Sequence, residues 1–167
     1  PVHTRLASPE VVLPVEWNGS LPFVEVHLNG EGPFSFLVDT GASLSVLDDD
    51  VAERFPDART PAGGRVRGSE GRAVAVRQAL HVQSLRVGSA EFHGVSAIVL
   101  DLEFIAASLH RDVHGILGFP LFADCLLTLD YESRQVRLAA GELGPVDGES
   151  ILRLGGGPAP HVAVKIG

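Results

Sequence analysis

Polar and apolar residues alternate along most of the chain, which is the pattern of β-strands that bury one face. The alternation is regular in residues 22–28, where valine and leucine are separated by glutamate and histidine. The turn sequence Asn-Gly-Glu-Gly at residues 29–32 leads into an apolar run at residues 34–38. These segments predict a β-hairpin whose second strand is buried and ends at Asp39.

The same pattern continues to the end of the closing hairpin. Further strands are predicted over residues 44–47, 73–87, 95–100, 126–131 and 135–138. Short helices are predicted at residues 51–55, where acidic residues precede the helix and a proline follows it, at 104–110 and at 120–123. About eight strands and only two or three short helices predict an all-β fold.

The composition is that of a globular chain with a substantial core. The sequence has 167 residues, of which 45% are hydrophobic and 20% charged, with 19 glycines and 11 prolines. This size allows one domain, and the apolar content argues against intrinsic disorder. The single cysteine excludes an internal disulfide and a cysteine-rich zinc site.

The excess of acidic residues argues against two kinds of binding partner, nucleic acids and anionic membranes. Lysine and arginine number 13 against 21 acidic residues, giving a net charge of −8. An acidic surface argues against binding nucleic acid or anionic membranes, because it would not neutralise phosphate groups. No apolar run approaches the roughly 20 residues of a membrane span.

We expect three segments: an N-terminal extension at residues 1–10, one folded lobe at 11–140, and a tail at 141–167. Within the tail, residues 160–166 (PHVAVKI) match residues 22–28 (PFVEVHL). The match is either a chance likeness of two amphipathic strands or the start of a repeated second lobe. The sequence begins at a proline and has no methionine, so we expect a processed or trimmed start, and an extracytoplasmic location if a signal peptide was removed.

The strongest chemical signal is Asp39-Thr40-Gly41-Ala42, directly after the apolar run. A carboxylate at the end of a buried strand must be functional or well hydrogen-bonded. About 75 residues later comes Ile116-Leu117-Gly118, two apolar residues and a glycine, followed by a short helix.

These two elements, in this order and at this spacing, resemble the retropepsin-like aspartic proteases, and their bacterial members in particular. The resemblance covers residues 11–138. It implies a closed β-barrel or sandwich lobe and an aspartic endopeptidase that needs no cofactor or metal. It also implies that Asp39 is the catalytic residue and that Thr40 cross-links the paired loops. The residues supporting the motif are then Thr40, Gly41, Ala42, Ile116, Leu117 and Gly118.

Hydrolysis by this route uses two carboxylates that share one proton around a water molecule. Only one Asp-Thr-Gly is present in the sequence. The second aspartate must therefore come from a second copy of the chain in a homodimer or from a linked second lobe. The substrate is an extended polypeptide. Ala42 has no hydroxyl to donate to the aspartate, so we expect a pH optimum displaced towards neutral compared with pepsin-type enzymes.

The polar segment at residues 64–71 falls where this family places its flap. Val66, Arg67, Gly68 and Ser69 are the predicted flap and substrate-binding residues, with glycines that permit opening and closing. The alternative is an ordinary mobile hairpin tip.

Other candidate residues favour structural roles. His110 and His114 have the spacing of a helical metal pair, but the glycine after His114 argues against a helix there, so a metal-dependent hydrolase ranks well below. Ser43 and Ser45 lack the Gly-x-Ser-x-Gly elbow of serine hydrolases. Cys125 is expected in the core. The three aspartates at residues 48–50 are read as a helix start, with calcium binding left open. A catalytically silent peptide-binding or dimerisation module is the main alternative to an enzyme.

Overall fold

A computed structural model describes residues 1–68, 71, 73–155 and 160–162. In these residues the chain forms short strands and very little helix. The strands are β1 His3–Leu6, β2 Glu10–Leu13, β3 Val15–Asn18, β4 Leu21–Leu28, β5 Glu31–Asp39, β6 Ser45–Asp48, β7 Arg59–Pro61, β8 Arg65–Arg67, β9 Ala73–Ala75, β10 Gln78–Val87, β11 Ala90–Leu100, β12 Gly115–Gly118, β13 Leu126–Asp130 and β14 Gln135–Ala139. The helices are α1 Asp49–Ala52 and α2 Glu103–Leu109, and the 3-10 turns are Pro56–Ala58 and Phe119–Phe122. No helix of the described residues is both long and apolar enough to cross a membrane.

Six strands close into a barrel in the order β11, β6, β12, β5, β4 and β10, because β10 also pairs with β11. β1 and β7 extend the sheet beyond the ring, and β3 pairs with β4. A second sheet contains β13, β14 and β2, and a third contains only β8 and β9. The all-β prediction and the closed lobe are confirmed.

Several predicted boundaries are wrong in detail. The predicted strand at residues 73–87 is two strands, because the chain changes partners at residues 76–77: Val76 N donates to Gly64 O at 3.0 Å, and Ala62 N donates to Arg77 O at 2.9 Å. The predicted strand at residues 95–100 begins earlier, at Ala90, because the β10–β11 hairpin turns tightly at Gly88.

The two ends of the chain can be compared with the expected segments. Within residues 1–10, predicted as an extension, β1 pairs with β11 in the main sheet. Most of the predicted strand at residues 160–166 lies outside the described residues.

Strands β5, β6 and β12 are buried on both faces. Successive residues of β5 point alternately into the main core, which holds Phe36 and Val38, and into a second cluster, which holds Leu37. In β12, Ile116 belongs to the second cluster and Leu117 to the main core. Two-sided burial explains why residues 36–38 are continuously apolar.

The second cluster is closed by α2 and the segment that follows it. Asn18 Nδ2 donates to Leu109 O at 3.1 Å, and the Arg111 guanidinium lies 3.9 Å from the Phe23 ring centroid. Ser35 N donates to His114 Nδ1 at 2.9 Å, while His114 N donates to Ser35 O at 2.8 Å. These contacts fix the segment before β12, so that β12 begins beside β5.

Gly115 permits this packing, since a Cβ there would lie 2.1 Å from the Phe36 ring. We expect Gly115→Ala to lower the free energy of unfolding by about 2–3 kcal/mol, because the aromatic ring must move in a packed core. Urea denaturation measures the change. Gly63→Ala is the matched control, since nothing lies within 4 Å of its added Cβ. Equal stability of the two variants would contradict the packing described for β12.

Candidate active site

Asp39 is the last residue of β5 and begins a tight loop that turns back on its carboxylate. Gly41 N donates to Asp39 Oδ1 at 2.9 Å, and Ala42 N donates to Asp39 O at 3.1 Å. A Cβ at Gly41 would lie only 3.2 Å from Asp39 Oδ1. The glycine therefore allows a close approach between the loop backbone and the carboxylate, which fixes one carboxylate oxygen and leaves the other for chemistry.

β12 lies directly beside this loop. It pairs with β5 in parallel, with Leu117 opposite Val38 and Gly118 opposite Asp39. A Cβ at Gly118 would lie 2.4 Å from Leu44 O, a backbone atom that cannot move aside cheaply. The predicted Ile116-Leu117-Gly118 segment is thus placed next to the Asp39 loop, and its glycine is required by the close contact with the chain after Ala42.

Two further hydrogen bonds join the loop to the end of β12. Phe119 N donates to Ala42 O at 2.9 Å, and Gly118 N donates to Ser45 Oγ at 3.1 Å. Ser45 is the only buried polar side chain in the described part of the chain. From the sequence, Ser45 is considered only as a serine-hydrolase candidate, although a serine at the start of an apolar strand signals that its hydroxyl needs a partner.

The loop is open on its outer side. Asp39, Thr40 and Ala42 are half-buried, and Gly41 is exposed. Leu44, the residue before β6, is 44% exposed although the residues of β6 that follow it are mostly buried. The carboxylate is therefore held by a loop whose outer side reaches solvent.

The predicted flap is a hairpin of its own. β8 and β9 pair antiparallel, with Val66 opposite Val74 and Arg67 opposite Ala73. The hairpin turn includes a hydrogen bond from Gly71 N to Gly68 O at 2.9 Å. One face of the hairpin therefore carries the two valines and the other carries the arginines of β8. Ser69, also predicted for this segment, lies outside the described residues.

The acidic run at the start of α1 forms a cluster with the end of β11. Carboxylate oxygens of Asp48, Asp49 and Asp101 lie within 4.8 Å of one another, a spacing that one divalent cation could bridge. Leu102 N donates to Asp48 Oδ1 at 2.9 Å. Partial burial, reinforced by the neighbouring aspartates, raises the pKa of Asp48 despite that hydrogen bond.

The two histidines of the predicted metal pair have different surroundings. His110 caps the C-terminus of α2 in the left-handed conformation and is exposed. His114 lies beyond the helix, and its Nδ1 accepts the hydrogen bond from Ser35 N. Cys125 is half-buried just before β13, packs against the main core, and has a pKa raised by burial.

Comparison with solved structures defines the class of fold. The chain is similar to a crystal structure of a retropepsin-like aspartic protease from Rickettsia conorii, with a TM-score of 0.56 and 19% sequence identity. The match covers 84% of this chain and 96% of that chain. The lobe thus has the retropepsin-like fold.

The family follows from the sequence itself. A model of the aspartyl protease family matches residues 24–121, which include both the Asp39 loop and β12. The chain belongs to this family. No curated protein matched the chain.

Asp48 gives a testable pH dependence. Because its pKa is raised in the folded protein, ionisation of Asp48 opposes folding at neutral pH, and this penalty disappears as the pH falls below the usual value for aspartate. We expect Asp48→Asn, whose side-chain oxygen can still accept from Leu102 N, to raise Tm by about 1–2 °C at pH 7 and by almost nothing at pH 3.

The matched control is Asp130→Asn, for which the expected change in Tm at pH 7 has the opposite sign. The hydrogen bond from Ser133 N, at 2.8 Å, lowers the pKa of Asp130, so its ionised form supports folding at neutral pH and this support is lost on acidification. Calorimetry at both pH values measures the two variants. A lower Tm for Asp48→Asn at pH 7 would contradict the assignment.

Proposed function

We propose that the protein is an aspartic endopeptidase lobe that hydrolyses peptide bonds in extended polypeptides, with Asp39 as its catalytic residue. The observation that carries the proposal is the carboxylate of Asp39, held by Gly41 N at 2.9 Å in an open loop beside β12. Membership of the aspartyl protease family supports the same chemistry.

The reaction needs a second carboxylate. One aspartate acts as general base and takes a proton from a water molecule, whose oxygen attacks the peptide carbonyl carbon. The other, protonated, donates a hydrogen bond to the carbonyl oxygen. The leaving amine then receives a proton from the pair as the C–N bond breaks, which restores the shared proton.

We propose that a second copy of the chain supplies this carboxylate. The sequence contains one Asp-Thr-Gly, and a two-fold axis next to the loop would bring the two copies of Asp39 together. The exposure of Gly41 leaves the loop accessible to a second copy. The Rickettsia chain, matched over 96% of its length by this lobe, is likewise about one lobe long. A linked second lobe beginning in residues 141–167 would supply the same carboxylate from within one polypeptide.

The hairpin of β8 and β9 is proposed to cover the substrate. An extended peptide can add to a two-stranded hairpin through main-chain hydrogen bonds, with Val66 and Val74 presenting an apolar face. Arg65 and Arg67, both exposed on the opposite face, give a weak preference for acidic or polar substrate residues at the rim.

Loss of the carboxylate charge is the direct test of the catalytic role. We expect Asp39→Asn to reduce cleavage of a denatured protein mixture by at least about a thousandfold, because the amide cannot accept the proton from water. The variant should keep its Tm, and Asp57→Asn, an exposed acid on the 3-10 turn, is the control. Pepstatin should block the wild type, and EDTA should have no effect.

The outcomes separate the alternatives. Cleavage that survives in Asp39→Asn would remove Asp39 from the mechanism, and cleavage abolished by EDTA would point to a metal-dependent hydrolase. A wild-type protein that binds extended peptides without cleaving them would be the catalytically silent module.

Ala42 sets the pH range of the proposed site. It is half-buried against the second cluster, and its N–H donates to Asp39 O at 3.1 Å, so we infer that a hydroxyl here would reach the carboxylate. We expect Ala42→Ser to move the acidic limb of the rate–pH profile down by about 0.5–1 unit, because a donated hydrogen bond favours the ionised aspartate. Ser43→Ala, one residue further on, is the control. A wild-type optimum near pH 3 that persists in Ala42→Ser would refute this role for Ala42.

A further inference from the structure

Ser45 lies at the junction of three neighbouring strands. In the sheet, β12 lies between β5, which ends at Asp39, and β6, which begins at Ser45. On the β5 side, Gly118 pairs with Asp39. On the β6 side, the same residue donates its N–H to Ser45 Oγ at 3.1 Å. Gly118 therefore connects Ser45 to Asp39, because it donates a hydrogen bond to the first and pairs with the second.

The Ser45 hydroxyl continues the hydrogen bonding between β6 and β12 beyond the point where their backbones stop pairing. β12 and β6 pair antiparallel only at Gly115 with Leu47 and at Ile116 with Val46. Beyond this point the chain before Ser45 turns away into the Asp39 loop, so backbone pairing cannot reach Gly118. Since a buried N–H without a partner costs free energy, the Ser45 hydroxyl takes over as its acceptor.

The environment of this bond makes it sensitive to small movements. Ser45 is 7% exposed. Gly118 is fully enclosed, with Leu44 O and Ala42 O both within 3.0 Å of the position its Cβ would occupy. Phe119, the residue after Gly118, also donates its N–H to Ala42 O. Both ends of the loop that carries the catalytic carboxylate are thus attached to residues 118 and 119.

We propose that Ser45 is a positioning residue for the catalytic site: by accepting the Gly118 N–H, its hydroxyl fixes the end of β12 against the Asp39 loop and so holds the carboxylate in its reactive position. Ser45 has no role in proton transfer. The effect on cleavage rests on the proposed function, whereas the hydrogen bond to Gly118 does not.

The test uses Ser45→Ala, which removes only the hydroxyl, with Ser45→Thr as the conservative rescue. In full-length protein we expect Ser45→Ala to lower kcat between about ten- and a hundredfold with KM within about twofold, since misplacement of a catalytic group by a fraction of an ångström has effects of this size. Ser45→Thr should recover kcat to within about threefold of wild type.

Ser84→Ala is the matched control. Ser84 Oγ donates to Glu91 Oε1 at 2.6 Å in the β10–β11 pair, so this variant also loses a hydroxyl hydrogen bond in the barrel. It should lower Tm without changing kcat. A similar kcat in Ser45→Ala and Ser84→Ala, after correction for the folded fraction, would show that Ser45 only fills the core and would overturn the proposal.

Amide hydrogen exchange makes the result independent of activity. Ser45→Ala should speed exchange of the Gly118 amide by at least about tenfold while the Leu117 amide, within the β5–β12 ladder, changes much less. Unchanged exchange at Gly118 would refute the inference even if the enzyme proved active. A wild-type protein with no cleavage but with this exchange pattern would instead refute the proposed function and leave the structural role of Ser45 standing.

Discussion

The parallel pairing of β12 with β5 is the constraint on which the rest of the lobe depends. It sets Leu117 beside Val38 and Gly118 beside Asp39, at the centre of the closed barrel. Parallel strands have no short connection, so the chain must travel from β6 through the hairpins and α2 before it can return as β12. The segment between residues 49 and 114 contributes β10 and β11 to the barrel and also returns the chain to the end of β5.

Two-sided burial turns this pairing into a rigid support. A slip of one residue would exchange the side chains that face the main core with those that face the second cluster, so each would meet a space packed around a different side chain. Gly115 and Gly118 add a second restriction, because the Phe36 ring and Leu44 O occupy the space that side chains would need. The register is thus fixed by sterics as well as by hydrogen bonds, and the loop that carries the carboxylate can remain open on its outer side.

The sequence revealed the elements that have a local signature. The apolar run at residues 34–38 depends on neighbouring residues and lies in β5, which ends at Asp39 as expected. The predicted turn at residues 29–32 is shorter, because β5 already begins at Glu31. The features that the sequence did not predict depend on pairing between residues that are distant in sequence. The break at residues 76–77 arises because the chain leaves one sheet for another, and the pairing of β1 with β11 joins residues about ninety positions apart.

Ser45 illustrates the same limit within the site. Its hydroxyl matters because Gly118, far along the chain, presents an N–H that the backbone of β6 cannot reach. Sequence alone shows only a serine before an apolar strand. The hairpin of β8 and β9 could be predicted in part: its glycines indicate a turn, and Val66 pairs with Val74. Its proposed contact with substrate has no signature in the sequence around it.

If two copies of Asp39 make one active site, as proposed, mixing wild-type and Asp39→Asn chains will show it. Wild-type chain is held at a concentration where sedimentation shows a dimer, and Asp39→Asn chain is added to a ninefold excess and allowed to exchange. If each site needs one aspartate from each copy, cleavage falls to about one tenth, since about nine in ten wild-type chains are then paired with an inactive partner. Cleavage that stays at the level of the wild-type chain alone would show that each chain holds a complete site, contrary to this account.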